Sequence, residues 1–501
     1  MIGIKKNYTQ EEALKVMQSG VNVFLTGLPG TGKSYIIKQF IEEQQKGGKQ
    51  VLVCAPTGIA ALNVGGITMH QAFSVPIPAY GHYKTEITKS KIKAAMAADI
   101  IIIDEISICR NDVFEYFGYV IDFLNECDRH PQIIVVGDMF QLPPVVPEQD
   151  VKKLKRYGFD PSGYCFTSRY WKKMKFKPVT LNKVIRQQDK SFVKNLGLLR
   201  IGDPSSIKYF NNRVLSDIIQ DNSDIIQICS TNAAVQEIND NKLSELDSPA
   251  CLYTMKKEGF CPKETVAEDK LVLKEGARVM FIANDVINKK YVNGEMGTIL
   301  ICLNSSVVVK KDNGEEIEVV PYVWKSYDIK TTNSTINKKE IGSYSQLPLK
   351  LAYCVTMHKT QGQTYDKAVI NPSSFACGQL YVALSRVKSI DGVFLTQPIS
   401  TNDIKVNDMV FEFYTNFSYT VPQSLIEKRK KLDKAALDRK KKKSKSNAGK
   451  KRSTTIKNKK TKAKTTTAST KRASAKKKTT KRTKKVSKAT STRATTKKNS
   501  N

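Results

Sequence analysis

Apolar positions over the first 180 residues gather into short runs separated by helical spacing. The runs lie in "VNVFLTG" (21–27), "KQVLVCAPTG" (49–58), "DIIIIDEIS" (99–107) and "PQIIVVGDMFQLPP" (131–144). Their centres are continuously apolar and do not alternate, the pattern of strands covered on both faces. Between the last two lies "DVFEYFGYVIDFLNE" (112–126), with apolar residues at helix spacing. This alternation predicts one α/β domain with a parallel sheet over residues 1–178. A second α/β pattern begins near Thr180, with strands expected in "DIIQICSTN" (224–232), "KAVINP" (367–372) and "DGVFLT" (391–396). It is interrupted by "MGTILICLNSSVVVKKDNGEEIEVV" (296–320), whose β-rich runs flank an Asn313-Gly314 turn. Residues 272–346 are therefore expected as a β-barrel-like insertion, leaving 179–271 and 347–423 to the second α/β domain.

Charge divides the chain differently. The formal net charge is +35 over 501 residues, yet 26 Lys and Arg and no Asp, Glu or aromatic residue lie between Lys440 and Asn501. That leaves about +9 on the first 439 residues. The stretch from 424 opens with a helical pattern and becomes a Lys/Thr/Ser/Ala tract that has no residues to build a core. Such a tract is a solvated run, a nuclear address or a non-specific DNA tether. The ten cysteines form no C-x-x-C pair and the four histidines are far apart, so free thiols in a reducing, intracellular setting are expected. No signal peptide and no membrane-spanning run is read in the sequence, so no membrane partner is expected.

The candidate chemistry starts at "GLPGTGKS" (27–34), a match to G-x-x-x-x-G-K-[ST] between an expected strand and an expected helix. Gly27, Leu28, Pro29, Gly30, Thr31, Gly32, Lys33 and Ser34 form the expected ATP-binding loop. Its backbone N–H groups cradle phosphates, Lys33 reaches the β- and γ-phosphates, and Ser34 binds Mg²⁺. The isoleucine strand ends in two adjacent carboxylates, Asp104 and Glu105, which would repel each other unless a cation stands beside them. A parallel sheet brings that strand end to the same edge as the loop. Asp104 is then the expected Mg²⁺ ligand, and Glu105 the base that deprotonates the attacking water. Gln141, at the end of the next strand, is placed to contact the γ-phosphate; a loop amide beside a Pro-Pro turn is the plain alternative.

In order along the chain, "GLPGTGKS", "APTGIAALNVGGITMH", "IDEIS", "GDMFQLPPV", "VIRQQD", "MHKTQGQT" and "YVALSRV" resemble the motifs of the Pif- and RecD-like helicases, superfamily 1 group B. The resemblance runs from about Tyr8 to Gln397. It implies two RecA-like P-loop domains, with an SH3-like β insertion in the second. It assigns Gln10 to adenine, Arg186 and Arg386 to the γ-phosphate, and Gly362 to the loop linking nucleotide and DNA. It places His70, Phe73, His358, Lys359 and Thr360 along a single-strand track. The chain departs from the nuclear eukaryotic members: "FGYVIDFLNECDRHPQIIVV" is short and lacks a "PFGG"-like element, which looks like bacterial, phage or large-virus relatives. The strand-separating wedge falls in a short insertion over 74–98, with Tyr80 or Tyr83 as its aromatic.

The expected activity is thus an ATP- and Mg²⁺-dependent DNA helicase acting on single-stranded and forked DNA, 5′-to-3′ by resemblance. Replication, repair or recombination is the expected setting, with a single-strand-binding protein or replisome component as partner, in a nucleus, nucleoid or viral replication compartment. An ATP-driven remodeller of protein–DNA complexes and a DNA-compacting basic protein are the alternative readings.

Overall fold

The computed structural model describes residues 7–82, 84–215, 225–261, 265–285, 288–332, 335–357, 359–360 and 363–416. Six strands make the first sheet: β1 (Val23–Gly27), β2 (Val51–Ala55), β3 (Ile67–Thr68), β4 (Ile100–Ile103), β5 (Gln132–Val136) and β6 (Lys177–Leu181). Their order is β3-β2-β4-β5-β1-β6 and every pairing is parallel. β4 is central, between β2 and β5, and all four of its isoleucines are buried. That position explains a run with no polar alternation.

One face of this sheet is covered by the helices Gln10–Gln18 and Lys33–Lys46. Ala13, Leu14 and Met17 of the first pack with Ile36, Ile37 and Phe40 of the second over Leu25, Ile102 and Ile134. The first helix starts at a capping box. Thr9 Oγ1 accepts from the Glu12 N–H at 3.2 Å, and Glu12 accepts from the Thr9 N–H at 2.9 Å. The long helix Asn111–Glu126 carries Phe114 and Phe117 into a second layer with Phe73 and Trp171.

The chain then enters a second parallel sheet at β7 (Gln227–Cys229) and leaves it for a β-rich insertion. The insertion contains β8 (Cys251–Thr254), β9 (Lys256–Gly259), β10 (Lys270–Leu273), β11 (Arg278–Phe281), β12 (Met296–Cys302), β13 (Val307–Lys311), β14 (Glu316–Val319), β15 (Tyr322–Thr332), β16 (Thr335–Gln346) and β17 (Leu349–Leu351). Five strands form an antiparallel sheet, β14-β13-β12-β11-β17, and the hairpin β15–β16 joins β9 in another. The Asn313-Gly314 turn connects β13 to β14, where Gly314 takes φ +88°. β8 and β9 fall before residue 272, the expected start of the insertion, yet pair with its strands β10 and β16. Alternating burial along β10 and β14 shows why: these strands cover one side of a separate core built on Val279, Phe281, Val307 and Leu349.

The second sheet resumes with β18 (Cys354–Thr356), β19 (Ala368–Ile370) and β20 (Val393–Leu395), in the order β18-β7-β19-β20, all parallel. Its core gathers Phe192, Leu196, Phe210, Ile228, Leu380 and Leu384. The helix Asp408–Asn416 follows it in sequence but packs elsewhere. Phe413 stacks on Phe166 at 4.4 Å and meets Phe24 of β1 and Trp171; Tyr414 stacks on Phe140 at 4.9 Å. The last helix therefore docks into the aromatic layer of the first sheet, although its sequence position assigns it to the second. Among the described residues no helix is long and apolar enough to cross a membrane.

Candidate active site

The loop after β1 turns on glycine. Gly30 and Gly32 take φ +74° and +82°, the left-handed region. A Cβ on Gly30 would collide with Arg186, and one on Gly32 with Gln10, so both glycines also admit close neighbours. Lys33, at the N-terminus of the following helix, donates from Nζ to the carbonyls of Gly27 at 3.0 Å and Leu28 at 3.2 Å. Burial lowers the Lys33 pKa, while the fields of Asp138, Glu105 and Asp104 oppose that shift. An ammonium held by its own loop carbonyls, among carboxylates, is ready to exchange weak partners for phosphate oxygens.

Asp104 is buried beyond the end of β4, and burial raises its pKa against the Glu105 N–H and the Lys33 charge. Its Oδ1 accepts from that N–H at 2.7 Å. Glu105 sits at φ +51°, ψ +42°, a left-handed conformation rare for a residue with a side chain. The turn lets two adjacent carboxylates leave one strand end in different directions, which β geometry alone would also do but without ending the strand. Gln141 is buried beyond β5, and Gly378 approaches it so closely that a Cβ there would strike the carbonyls of Phe140 and Gln141.

The segment "IRQ" spans two parts of the chain. The N–H groups of Ile185 and Arg186 both donate to the Gly30 carbonyl, at 2.7 and 3.3 Å. Arg186 Nη1 donates to the Ser385 carbonyl at 3.3 Å. Gln187, which the sequence reading passed over, is buried and donates from Nε2 to the carbonyls of Ser385 and Val387, each at 3.0 Å. Arg386 is buried too. Its Nε donates to the Val382 carbonyl at 2.9 Å, and its Nη2 to Ser385 Oγ at 2.9 Å. Burial, with Arg186 nearby, pushes its pKa down to about 10, against the field of Glu105. Burial also lowers Arg186. A guanidinium, Arg386, whose charge is disfavoured by burial and by Arg186 nearby is one that an anion would relieve.

Gln10 donates from Nε2 to the Thr31 carbonyl at 3.1 Å, so it closes over the loop. A hydroxyl and a carboxylate, Ser34 and Asp104, are the oxygen set that suits Mg²⁺, which keeps waters and substrate phosphates as its other ligands. Among the described residues no group of three His, Cys, Asp or Glu could hold a metal by protein ligands alone.

The expected DNA track is divided. Lys359 is exposed and His70 half-buried. Burial lowers the His70 pKa, with Asp112 opposing and Arg110 adding to the effect. Phe73 is a correction: it is 0% exposed and packs on Phe117 at 4.7 Å, because its five-residue helix turns that face inward. It cannot stack on a base in this conformation. Thr360 is also fully buried. Its hydroxyl donates to the Met357 carbonyl at 2.7 Å and its own carbonyl accepts from Arg386 at 3.5 Å, so it serves the arginine rather than an exposed groove. Tyr80 is a second correction. It is buried, stacks on Tyr157 at 5.5 Å and donates to Asp150 at 3.1 Å. Among the described residues of that insertion Ile77 is an exposed large apolar side chain, at 85%. Tyr83, His358 and Gly362 lie outside the described residues.

A family model described as PIF1-like helicase matches residues 5–197. The "ATP-dependent DNA helicase Pif1" of Campylobacter jejuni is 31% identical over 435 residues, covering 79% of this chain and 95% of that protein. Among solved structures, a Bacteroides Pif1 in complex with ADP–AlF4 superposes with a TM-score of 0.73 at 31% identity, over 83% of this chain and 98% of that one. A Bacteroides Pif1 bound to single-stranded DNA gives 0.59 at 32% identity, over 83% and 97%.

Proposed function

Because the chain belongs to the PIF1-like helicase family and is an ATP-dependent DNA helicase, we propose that ATP binding between its two parallel sheets drives 5′-to-3′ stepping on single-stranded DNA. The observation that supports the reading is that Arg186 bridges the two halves: its N–H donates to the Gly30 carbonyl of the phosphate loop and its Nη1 to the Ser385 carbonyl, next to the buried Arg386. In this reading Lys33 and the loop N–H groups hold the triphosphate, with Gln10 over the adenine. Glu105 takes the proton of the attacking water, and Gln141 contacts the γ-phosphate. Arg186 and Arg386 stabilise charge on the transferring phosphoryl group. Ser34 and Asp104 would hold Mg²⁺, which supplies charge neutralisation at the phosphates when bound. Hydrolysis turns the γ-phosphoryl group into inorganic phosphate, and its release removes the anion that offsets the two arginines, so the halves separate and the grip on DNA alternates.

The DNA groups proposed are Lys359 and His70, with His358 in the same motif as Lys359. The relative of known structure bound to single-stranded DNA supports that class of ligand. Forked DNA is proposed as the substrate because a related Pif1 structure concerns unwinding at forked duplex DNA. Ile77 is proposed as the strand-separating edge: an exposed isoleucine in the wedge position can shear a base pair without reading it. The basic segment after Arg439 lies outside the described residues and is proposed as a DNA tether.

Unwinding of forked duplexes carrying a single 5′ or a single 3′ tail tests the polarity. Activity confined to the 5′-tailed fork supports the reading; activity on the 3′-tailed fork alone would sink it.

A further inference from the structure

Asp138, in "GDMFQL", is fully buried and faces a guanidinium from a distant part of the chain. Arg200, at the end of the helix Lys190–Arg200, is 1% exposed. Its Nη2 donates to Asp138 Oδ1 at 2.7 Å and its Nε to Oδ2 at 3.0 Å. The guanidinium also lies 4.4 Å from the Phe140 ring centroid and 5.2 Å from that of Tyr414. Tyr381 and Tyr414 place their hydroxyls 3.3 Å from the two oxygens of the same carboxylate. The Tyr414 hydroxyl also accepts from the Met139 N–H at 3.1 Å and bonds Thr26 Oγ1 at 2.9 Å. The helix of Arg200 and that of Tyr381 belong to the core of the second sheet, whereas Asp138 follows β5 and Thr26 lies in β1 of the first.

A buried ion pair is a poor way to gain stability, since both charges lose water. The neighbour that makes sense of it is Lys33. Asp138 is tied through the Tyr414 hydroxyl to Thr26, the residue before Gly27, whose carbonyl accepts from Lys33 Nζ at 3.0 Å, and its charge, ahead of those of Glu105 and Asp104, opposes the burial that lowers the Lys33 pKa. Without a counter-charge, Asp138 would compete with a phosphate for that ammonium in a low-dielectric setting. Burial would raise the Asp138 pKa, but the Arg200 charge and hydrogen bonds hold it below the usual carboxylate range, so it stays ionised. We infer that Arg200 is a positioning residue for ATP: by occupying Asp138 from the second sheet it keeps Lys33 free for the phosphates. It does so across the same interface that the arginines of the site close. This rests on the reading that Lys33 binds the triphosphate.

Arg200→Gln removes the charge but keeps a donor toward Asp138; Arg200→Met removes both. Steady-state ATP hydrolysis on the full chain with saturating single-stranded DNA gives KM and kcat, and thermal unfolding gives stability. The expected result is a rise in KM for ATP of roughly ten-fold in whichever variant folds. Adding Asp138→Asn should return KM to within about three-fold of the parent, because the competing charge is gone. A folded Arg200 variant with parental KM and a lower melting temperature would overturn the inference and leave a structural pair. So would a raised KM that Asp138→Asn does not rescue. Lys33→Ala separates the premise from the inference: undiminished ATP hydrolysis in that variant would mean that the assignment of the loop lysine is at fault.

Discussion

At the scale of single residues the candidate site is a set of buried charges, carboxylates and guanidiniums, each shifted by burial and by its neighbours. Arg186 and Arg386 each have lowered pKa values through burial, and Arg386 is further lowered by Arg186. Arg386→Ala is expected to cut kcat by at least about a hundred-fold with little change in ATP affinity, since a guanidinium of this kind acts on transition-state charge. Turnover at the parent rate in single-turnover assays would remove it from the site. Glu105→Gln should bind ATP normally and lose turnover by about 10²–10⁴, the usual range for a general base. Equilibrium nucleotide binding and product formation, measured side by side, check that division; loss of affinity equal to the loss of rate contradicts it.

At the scale of elements the last helix is a clasp. Phe413 sits among Phe24, Phe166 and Trp171, and Tyr414 rests against both Phe140 and the Arg200–Asp138 pair. Phe413→Ala should cost about 3–5 kcal/mol of stability, the range for emptying a buried aromatic position. Denaturant unfolding followed by circular dichroism measures it, and a loss under about 1 kcal/mol would mean that the helix is not held by this layer. The phosphate loop behaves oppositely as an element. Its shape comes from its own glycines and the start of the helix Lys33–Lys46, so it is legible in eight letters of sequence.

At the scale of the whole molecule, charge is divided between an enzyme body near +9 and a segment of 26 unopposed cations. Truncation after Arg439 should leave DNA-stimulated ATP hydrolysis and the thermal unfolding of the body unchanged. It should flatten the salt dependence of DNA binding. If about six of the charges engage phosphates together, the slope of log K against log salt changes by roughly four to five. Binding of both proteins to duplex and single-stranded DNA across a salt series checks this. Equal slopes would leave a localisation signal as the account of that segment.

The parallel strands, the phosphate loop and the adjacent carboxylates were determined by the sequence itself, because each rests on local chemistry. Continuous apolar runs demand cover on both faces, glycines supply left-handed turns, and a strand end fixes its own carboxylates. The order of strands, with β4 at the centre, follows from packing and is written in no single stretch. The same holds for residues whose partners lie far along the chain. Phe73, Thr360 and Tyr80 have the residue types of a nucleic-acid track or wedge, yet packing turns them inward. Arg200 carries no motif that marks it, and Gln187, though it stands inside "VIRQQD", has nothing in its type that names its partner; only folding sets the two against Asp138 and Ser385, 62 and 198 positions away. A side chain's type is a property of the sequence; its burial and its partner are properties of the neighbours that tertiary structure brings, and here those neighbours decide which cations are buried and against which carboxylate or carbonyl.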